Sequence, residues 1–294
     1  MDLDFLLQSI MMWFANPTLM LMKWAVVIYN ALIKHAANLL LQSPSDWSAE
    51  GWNAVSLVYD NFKIVGSACV VIFYLYGFCM ETIDAKQEMQ LFDIIKSYLK
   101  ICIAEFFVEK GYDLISKVFL LVPALIGKFS PNATELKTDI PDEITKMLMT
   151  SKDYDIGAGD LIVLFIIAII FFVVLAVTGA IIAYQAYVRF FRIMVLIPYG
   201  ALANSTIAGS RGMMQVAGAY WKYALATILE AVTMLVSLYL FGTILGGGEV
   251  SLFAESESNS LYIVEWMIQT IFLSLVCVGV TQGAEKITQK ALGL

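Results

Sequence analysis

The chain has 294 residues, of which 60% are hydrophobic and 15% charged, and its mean hydropathy is +0.78. These values exclude an ordinary soluble domain and favour one polytopic membrane domain. The formal net charge of −7 argues against a general nucleic-acid-binding surface. Because the first basic residue is Lys23, we expect no cleaved signal peptide.

Residues 1–42 are predicted to form an N-terminal amphipathic helical region. A short apolar segment ends at the helix-breaking pair Asn16-Pro17, and a second helix follows from Thr18 to Leu41. The polar residues of this second helix share one stripe: Lys23, Asn30, Lys34 and Asn38. The helix either lies in the membrane interface with its lysines snorkelling or spans the membrane with its stripe toward neighbouring helices, and the sequence leaves both open.

Residues 43–294 are predicted to form a polytopic membrane domain that begins with a polar connection over 43–61. Its most apolar stretch, residues 161–188, contains no charged residue. About 20 apolar residues rising 1.5 Å each cross a hydrocarbon core of roughly 30 Å, so this stretch places the chain in a membrane. We predict an all-α transmembrane bundle with about five spans, near residues 64–80, 97–127, 161–188, 214–245 and 263–282.

The segment from 97 to 128 combines apolar residues with charges at steps of four, which puts them on one side of a helix: Glu105, Glu109, Asp113 and Lys117. A charge facing lipid at mid-bilayer costs roughly 2.5–3.5 kcal/mol. This helix therefore either turns its stripe toward protein or water, or lies at the surface as far as Val118. Gly111 and Pro123 are predicted break points.

Charge asymmetry predicts the orientation of the C-terminal half. The loop at 129–160 is rich in acidic residues, whereas residues 161–229 contain none and carry all their charge on Arg189, Arg192, Arg211 and Lys222. The positive-inside rule places 189–212 in the cytoplasm and 129–160 outside. The last span then returns and leaves the C-terminus cytoplasmic.

Ionisable residues within or beside the predicted spans are candidate functional residues, because such residues are rare in membranes. Arg189 and Arg192 are expected to anchor their helix at the level of the lipid phosphates, and Lys222 and Glu230 to pair inside the bundle. The alternative is that these residues line a path or a subunit interface. Glu265 lies near the external start of the last helix.

The stretch from Arg192 to Asn204 is too hydrophobic for a free cytoplasmic loop. Pro198 and Gly200 are expected to break it, which favours a re-entrant or partner-covered element over a continuous helix. Helix contacts elsewhere should use small residues. The candidates are Gly179, Ala180, Gly218, Ala219 and Ala224.

Catalytic signatures do not occur in the sequence. The run Gly209-Ser210-Arg211-Gly212 lacks the lysine and hydroxyl residue of a phosphate-binding loop, and there is no HExxH or GxSxG motif. The four cysteines are not at metal-ligand spacing. We therefore expect no catalytic residue, cofactor or metal, and no enzyme.

Several stretches together resemble the TrbL-type polytopic proteins of conjugative type IV secretion systems, in the version found on Gram-positive conjugative elements. They are Tyr187-Val-Arg-Phe-Phe-Arg-Ile-Met-Val-Leu-Ile-Pro-Tyr-Gly-Ala-Leu-Ala, Ala208-Gly209, the run from Tyr220 to Glu230, Trp52-Asn-Ala-Val with the following span, and the run from Ile94 to Leu114. The resemblance covers most of residues 50–285.

This resemblance implies a channel or platform subunit of the bacterial cytoplasmic membrane. It implies a lipid-embedded homo-oligomer with secretion ATPases, other secretion membrane subunits and a transferred DNA–relaxase substrate as partners. Arg189, Arg192, Pro198, Lys222 and Glu230 would be core or interface residues. The alternative is a small-molecule transporter or permease, a class that usually shows repeated halves, and no internal repeat is found here.

Overall fold

The computed structural model of the chain describes residues 3–84, 91–129, 140–150, 156–246 and 258–294. Across these ranges the secondary structure is helical and contains no strand, which confirms the all-α prediction. A 3₁₀ turn at Thr206–Ala208 joins α6 to α7. The helices are α1 Leu3–Leu41, α2 Pro44–Trp47, α3 Ala49–Asp84, α4 Leu91–Phe129, α5 Asp142–Met149, α6 Ala158–Ser205, α7 Arg211–Gly246 and α8 Asn259–Ala291.

Five of these helices are long and apolar enough to cross a membrane, which agrees with a polytopic protein. The candidate spans are Trp13–Leu41, Ala49–Met80, Gly159–Ala208, Arg211–Thr243 and Asn259–Ala291. Helix α1 therefore qualifies by length and composition. Helix α4 is not among them, so a span at 97–127 stays a prediction, as does a domain boundary at residue 42.

The predicted helix breaks are wrong. Helix α1 continues through Pro17, α4 through Gly111 and Pro123, and α6 through Pro198 and Gly200. Membrane helices tolerate such residues because neighbouring groups satisfy the freed backbone and hold the helix together. The 48 residues of α6 extend for about 72 Å, more than twice a hydrocarbon core, so part of this helix must leave the hydrocarbon region.

The predicted polar connection at 43–61 is also helical. Ser43 caps the short helix α2, because its hydroxyl accepts a hydrogen bond from the Asp46 amide at 3.3 Å, and Pro44 occupies the first turn. Helix α3 then begins at Ala49. Polar composition alone was a poor guide here because a capped helix also accommodates polar residues.

The chain forms two compact units. The first unit contains α1 up to Asn38, α5, α6 up to Ala186, α7 from Met234 and α8 up to Gly283. Within it, a methyl group added at Gly179 would lie 3.1 Å from Leu32, so the helices α1 and α6 approach closely there. The stripe of α1 points away from this contact, since Lys23 and Lys34 are exposed.

The second unit contains the end of α1, α2, α3, α4, α6 from Tyr187, α7 up to Thr233 and α8 from Ala284. Helices α3 and α4 pair in antiparallel fashion. Helices α6 and α7 do the same, and α6 packs on α3. A methyl group added at Gly66 would lie 2.9 Å from the carbonyl oxygen of Ala201, so only glycine allows this approach.

The prediction of small residues at helix contacts is confirmed in part. Gly179 and Ala224 are buried. Ala180, Gly218 and Ala219 are exposed, so for contacts between helices of the same chain the prediction is wrong for these three residues. The helical period predicts which small residues share a helix face, but it does not show which neighbouring helix packs against that face.

Candidate functional site

The second unit contains a charged network centred on Arg192. One guanidinium nitrogen of Arg192, Nη1, lies 3.2 Å from Glu230 Oε2 of α7 and 2.8 Å from Glu285 Oε2 of α8. The Glu230 side chain is 9% exposed, whereas that of Glu285 is 35% exposed. A single arginine therefore holds three helices together through one buried and one half-exposed carboxylate.

Arg189 lies one helical turn before Arg192 and is 3% exposed. Its Nε donates a hydrogen bond to the carbonyl of Thr227, and its Nη2 donates to that of Ile228, each at 3.1 Å. A buried charge requires such partners, because an unpaired one is strongly unfavourable. The guanidinium also lies 5.7 Å from the ring centre of Phe190. Arg189 is thus a buried link between α6 and α7, not an anchor exposed to lipid phosphates.

The predicted pair of Lys222 and Glu230 is wrong. Glu230 forms its ion pair with Arg192 on the neighbouring helix, whereas the Lys222 side chain is exposed. The antiparallel arrangement of α6 and α7 brings Arg192 opposite Glu230, although the two are far apart in sequence. The ionisable groups of α7 are therefore divided between a buried network and an exposed face.

Pro198 is buried in the same stretch of α6, where Tyr220 of α7 packs across the helix. The Tyr220 hydroxyl lies 3.4 Å from the carbonyl oxygens of both Leu196 and Ile197. A methyl group added at Gly200 would lie 2.5 Å from that hydroxyl. The stretch predicted as a re-entrant or partner-covered element is thus continuous helix: α7 of the same chain covers one face of it, while Val195 and Tyr199 on another face are exposed.

Asn204 is a functional candidate that sequence reasoning missed. Its Nδ2 donates to the carbonyl of Phe107 in α4 at 3.1 Å, and its Oδ1 accepts from the Trp221 indole at 2.8 Å. Asn204 is fully buried and so joins α4, α6 and α7. The available signal was a lone amide in an apolar run. The close approach of Tyr59 at Gly111, where a methyl group would lie 2.6 Å from the hydroxyl, was not foreseeable.

The charged stripe of α4 lies at the edge of the α3–α4 pair. Ser67 donates its hydroxyl hydrogen bond to Glu105 at 2.7 Å, and Lys63 lies 3.6 Å from Glu109. Asp113 is exposed, as is Lys117 one turn later. The stripe therefore begins against α3, as the first alternative predicts for Glu105 and Glu109, and turns outward along α4; a position at the membrane surface stays a prediction.

The remaining candidate, Glu265, is half-buried in α8 within the first unit. No group of three or more metal-ligating side chains occurs among the residues that the structure describes. The chemistry of this site, with Arg192 between two carboxylates and Arg189 bonded to two backbone carbonyls, suits the fixing of helices.

Comparison with known proteins gives one family. The model of the family described as "TrbL/VirB6 plasmid conjugal transfer like protein" matches residues 29–201, more than half of the chain. The match confirms the resemblance but starts and ends earlier than the stretch in which it was noticed, and it leaves out Lys222, Glu230 and Glu265. Neither the curated proteins nor the solved structures give a match.

Proposed function

The chain belongs to the TrbL/VirB6 family of conjugal transfer proteins, and from this premise we propose that it is a channel or platform subunit that helps move a DNA–protein substrate across the membrane. The family places the chain as a multi-pass inner-membrane subunit of a conjugative type IV secretion complex. Members of this family are structural membrane subunits and are not known as enzymes.

The observation that carries the proposal is the family match, because the matched range includes α3, α4 and most of α6. The Arg192 network supports it. A platform must hold its helices in fixed register while a substrate passes, and a half-buried arginine between carboxylates on two other helices supplies that fixed register.

We further propose that the chain assembles as a homo-oligomer with secretion ATPases and other secretion membrane subunits, and that a DNA–relaxase substrate contacts the assembly. The C-terminus is proposed to be cytoplasmic, because the bases near the end of the chain, Lys286 and Lys290, follow the last span. A cytoplasmic C-terminus would put Glu285 within reach of cytoplasmic partners.

The residue assignment is tested by mating assays in a strain lacking the native gene. Arg192→Ala and Glu230→Ala should each abolish conjugative transfer while the protein still inserts in the membrane fraction. Lys286→Ala is the matched control, because Lys286 is an exposed charge beside Glu285 and takes part in none of the ion pairs described above. Transfer at wild-type frequency by both network variants would refute the assignment.

The assembly is tested by gentle detergent extraction, native mass determination and identification of co-purifying proteins. A ring-sized homo-oligomer that carries secretion ATPases or membrane subunits is the expected result. A monodisperse monomer without partners would contradict the proposal and would point to a transporter, which solute uptake into liposomes would then test.

A further inference from the structure

An exposed polar stripe runs along the first half of α7. Its members recur at i, i+4, i+7 and i+11, which places them on one helix face. All four are exposed, and a methyl group added at Gly218 would meet no atom within 4 Å. We call this set the α7 stripe; its members are Arg211, Gln215, Gly218 and Lys222.

The α7 stripe is unsuited to lipid. Helix α7 is a candidate span from Arg211 to Thr243, and Lys222 lies about 16 Å along it from Arg211. A lysine or arginine that faces lipid near the bilayer centre costs roughly 2.5–3.5 kcal/mol, so such residues turn toward protein or water. Residues 161–229 contain no acid that could neutralise the stripe from nearby in sequence. The stripe must therefore face water or protein, and an acidic surface of another element or copy would neutralise it.

A complementary surface lies on α4 of the same unit. We call Glu105, Glu109 and Asp113 the α4 stripe; they succeed one another at steps of four and extend for about 12 Å. Ser67 holds Glu105, and Lys63 lies near Glu109, whose side chain is 52% exposed. Because a half-exposed ion pair is weak, the Glu109 carboxylate stays available to a second cation.

The α4 stripe has an excess of negative charge. Its own members are three carboxylates; Lys63 of α3 lies beside Glu109, Lys117 continues the same steps of four one turn beyond Asp113, and Lys110 is exposed on the adjoining side of α4. Its length is comparable to that of the α7 stripe. The two surfaces therefore match in charge and in extent.

We propose that the α7 stripe of one copy of this chain packs against the α4 stripe of a second copy. Gly218 lets the two backbones approach, as small residues do in membrane helix pairs. Each copy carries both stripes on different surfaces, so the contact is heterologous and builds a ring where the rotation closes. The inference rests on the proposed homo-oligomer and identifies its interface.

The contact is tested by disulfide crosslinking in native membranes. Cys69, Cys79, Cys102 and Cys277 are first changed to serine, and two differently tagged copies are co-expressed, one with Gln215→Cys and one with Glu105→Cys. Each copy then has a single cysteine, so no disulfide can form within a chain. Oxidation should give a dimer that carries both tags.

The matched control is Val216→Cys in place of Gln215→Cys. Val216 is 51% exposed and adjoins Gln215, but it faces a different side of α7. It should give little dimer with Glu105→Cys. Equal crosslinking from both positions would overturn the proposed register of the contact.

Charge reversal tests the same contact through the strength of self-association. Lys222→Glu should weaken self-association about tenfold, and the addition of Asp113→Lys should restore it, because the reversed charges again meet between copies. Native mass determination separates a failure of this interface from a failure of the homo-oligomer proposal on which it rests. A homo-oligomer without the Gln215–Glu105 crosslink would overturn this interface alone, whereas a monomeric wild-type protein would contradict the homo-oligomer proposal itself.

Discussion

The exposed fractions of the two glutamates in the Arg192 network predict an unequal response to mutation. Arg192→Ala would leave Glu230, whose side chain is 9% exposed, without its ion-pair partner. Loss of one partner from a buried ion pair costs about 3–5 kcal/mol, because the remaining charge stays desolvated. We expect a large loss of stability.

Glu285→Ala should be mild by comparison. The Glu285 side chain is 35% exposed, and without it Arg192 still pairs with Glu230 at 3.2 Å. An ion pair of this exposure contributes about 0–1 kcal/mol. The same arginine thus has one essential and one dispensable partner.

A double variant separates charge burial from helix packing. Arg192→Met combined with Glu230→Leu replaces the pair by apolar side chains, and such replacements are often neutral or stabilising. The double variant should therefore recover most of the stability lost in Arg192→Ala. If transfer still fails in the recovered protein, the ion pair itself is required for function.

The assay is heating in mild detergent followed by size-exclusion chromatography with fluorescence detection. For domains of 150–250 residues, 1 kcal/mol shifts Tm by roughly 2–4 °C, so Arg192→Ala should lower the apparent Tm by about 6–20 °C. Glu285→Ala should lower it by at most about 4 °C. Equal shifts in the two single variants, or a double variant as unstable as Arg192→Ala, would refute the reasoning.

Two further predictions concern packing, and the same heating assay tests both. Asn204→Ala should cost about 1–3 kcal/mol, because it removes a buried amide and leaves the half-buried Trp221 indole without its acceptor; a wild-type Tm would contradict this role. Gly200→Ala should cost about 1–3 kcal/mol, since the added methyl would lie 2.5 Å from the Tyr220 hydroxyl. Gly279→Ala, at an exposed helical position with no atom within 4 Å, should instead stabilise by up to about 1 kcal/mol, and a loss there would show that helix propensity is not the controlling factor.

Local sequence signals predicted which segments are helical more reliably than they predicted where each helix begins and ends. The charge-free stretch at 161–188 predicted a membrane helix, and α6 contains it. Pro17, Pro123 and Pro198 predicted breaks, yet α1, α4 and α6 continue through them. Proline removes one backbone donor, but the remaining turns and the packed neighbours keep such a helix intact in a membrane protein.

The candidate site was found in parts and assembled wrongly. Arg189, Arg192 and Glu230 were identified because ionisable residues are rare in apolar stretches. Glu230 was given to Lys222, however, because spacing along one helix is the relation that a sequence displays directly. Asn204 was missed for a similar reason: an uncharged amide differs little from its neighbours until the Phe107 carbonyl and the Trp221 indole are seen beside it.

By itself the sequence determined the all-α class, the membrane location and the family, because each depends on composition and local order. Only the tertiary structure decided that Arg192 holds Glu230 and Glu285 while Lys222 stays exposed. The choice of ion-pair partner depends on the register between helices, and between α6 and α7 that register is set by close contacts such as that of Gly200 with Tyr220. Such contacts join residues far apart in the chain, so no periodicity within one helix encodes them.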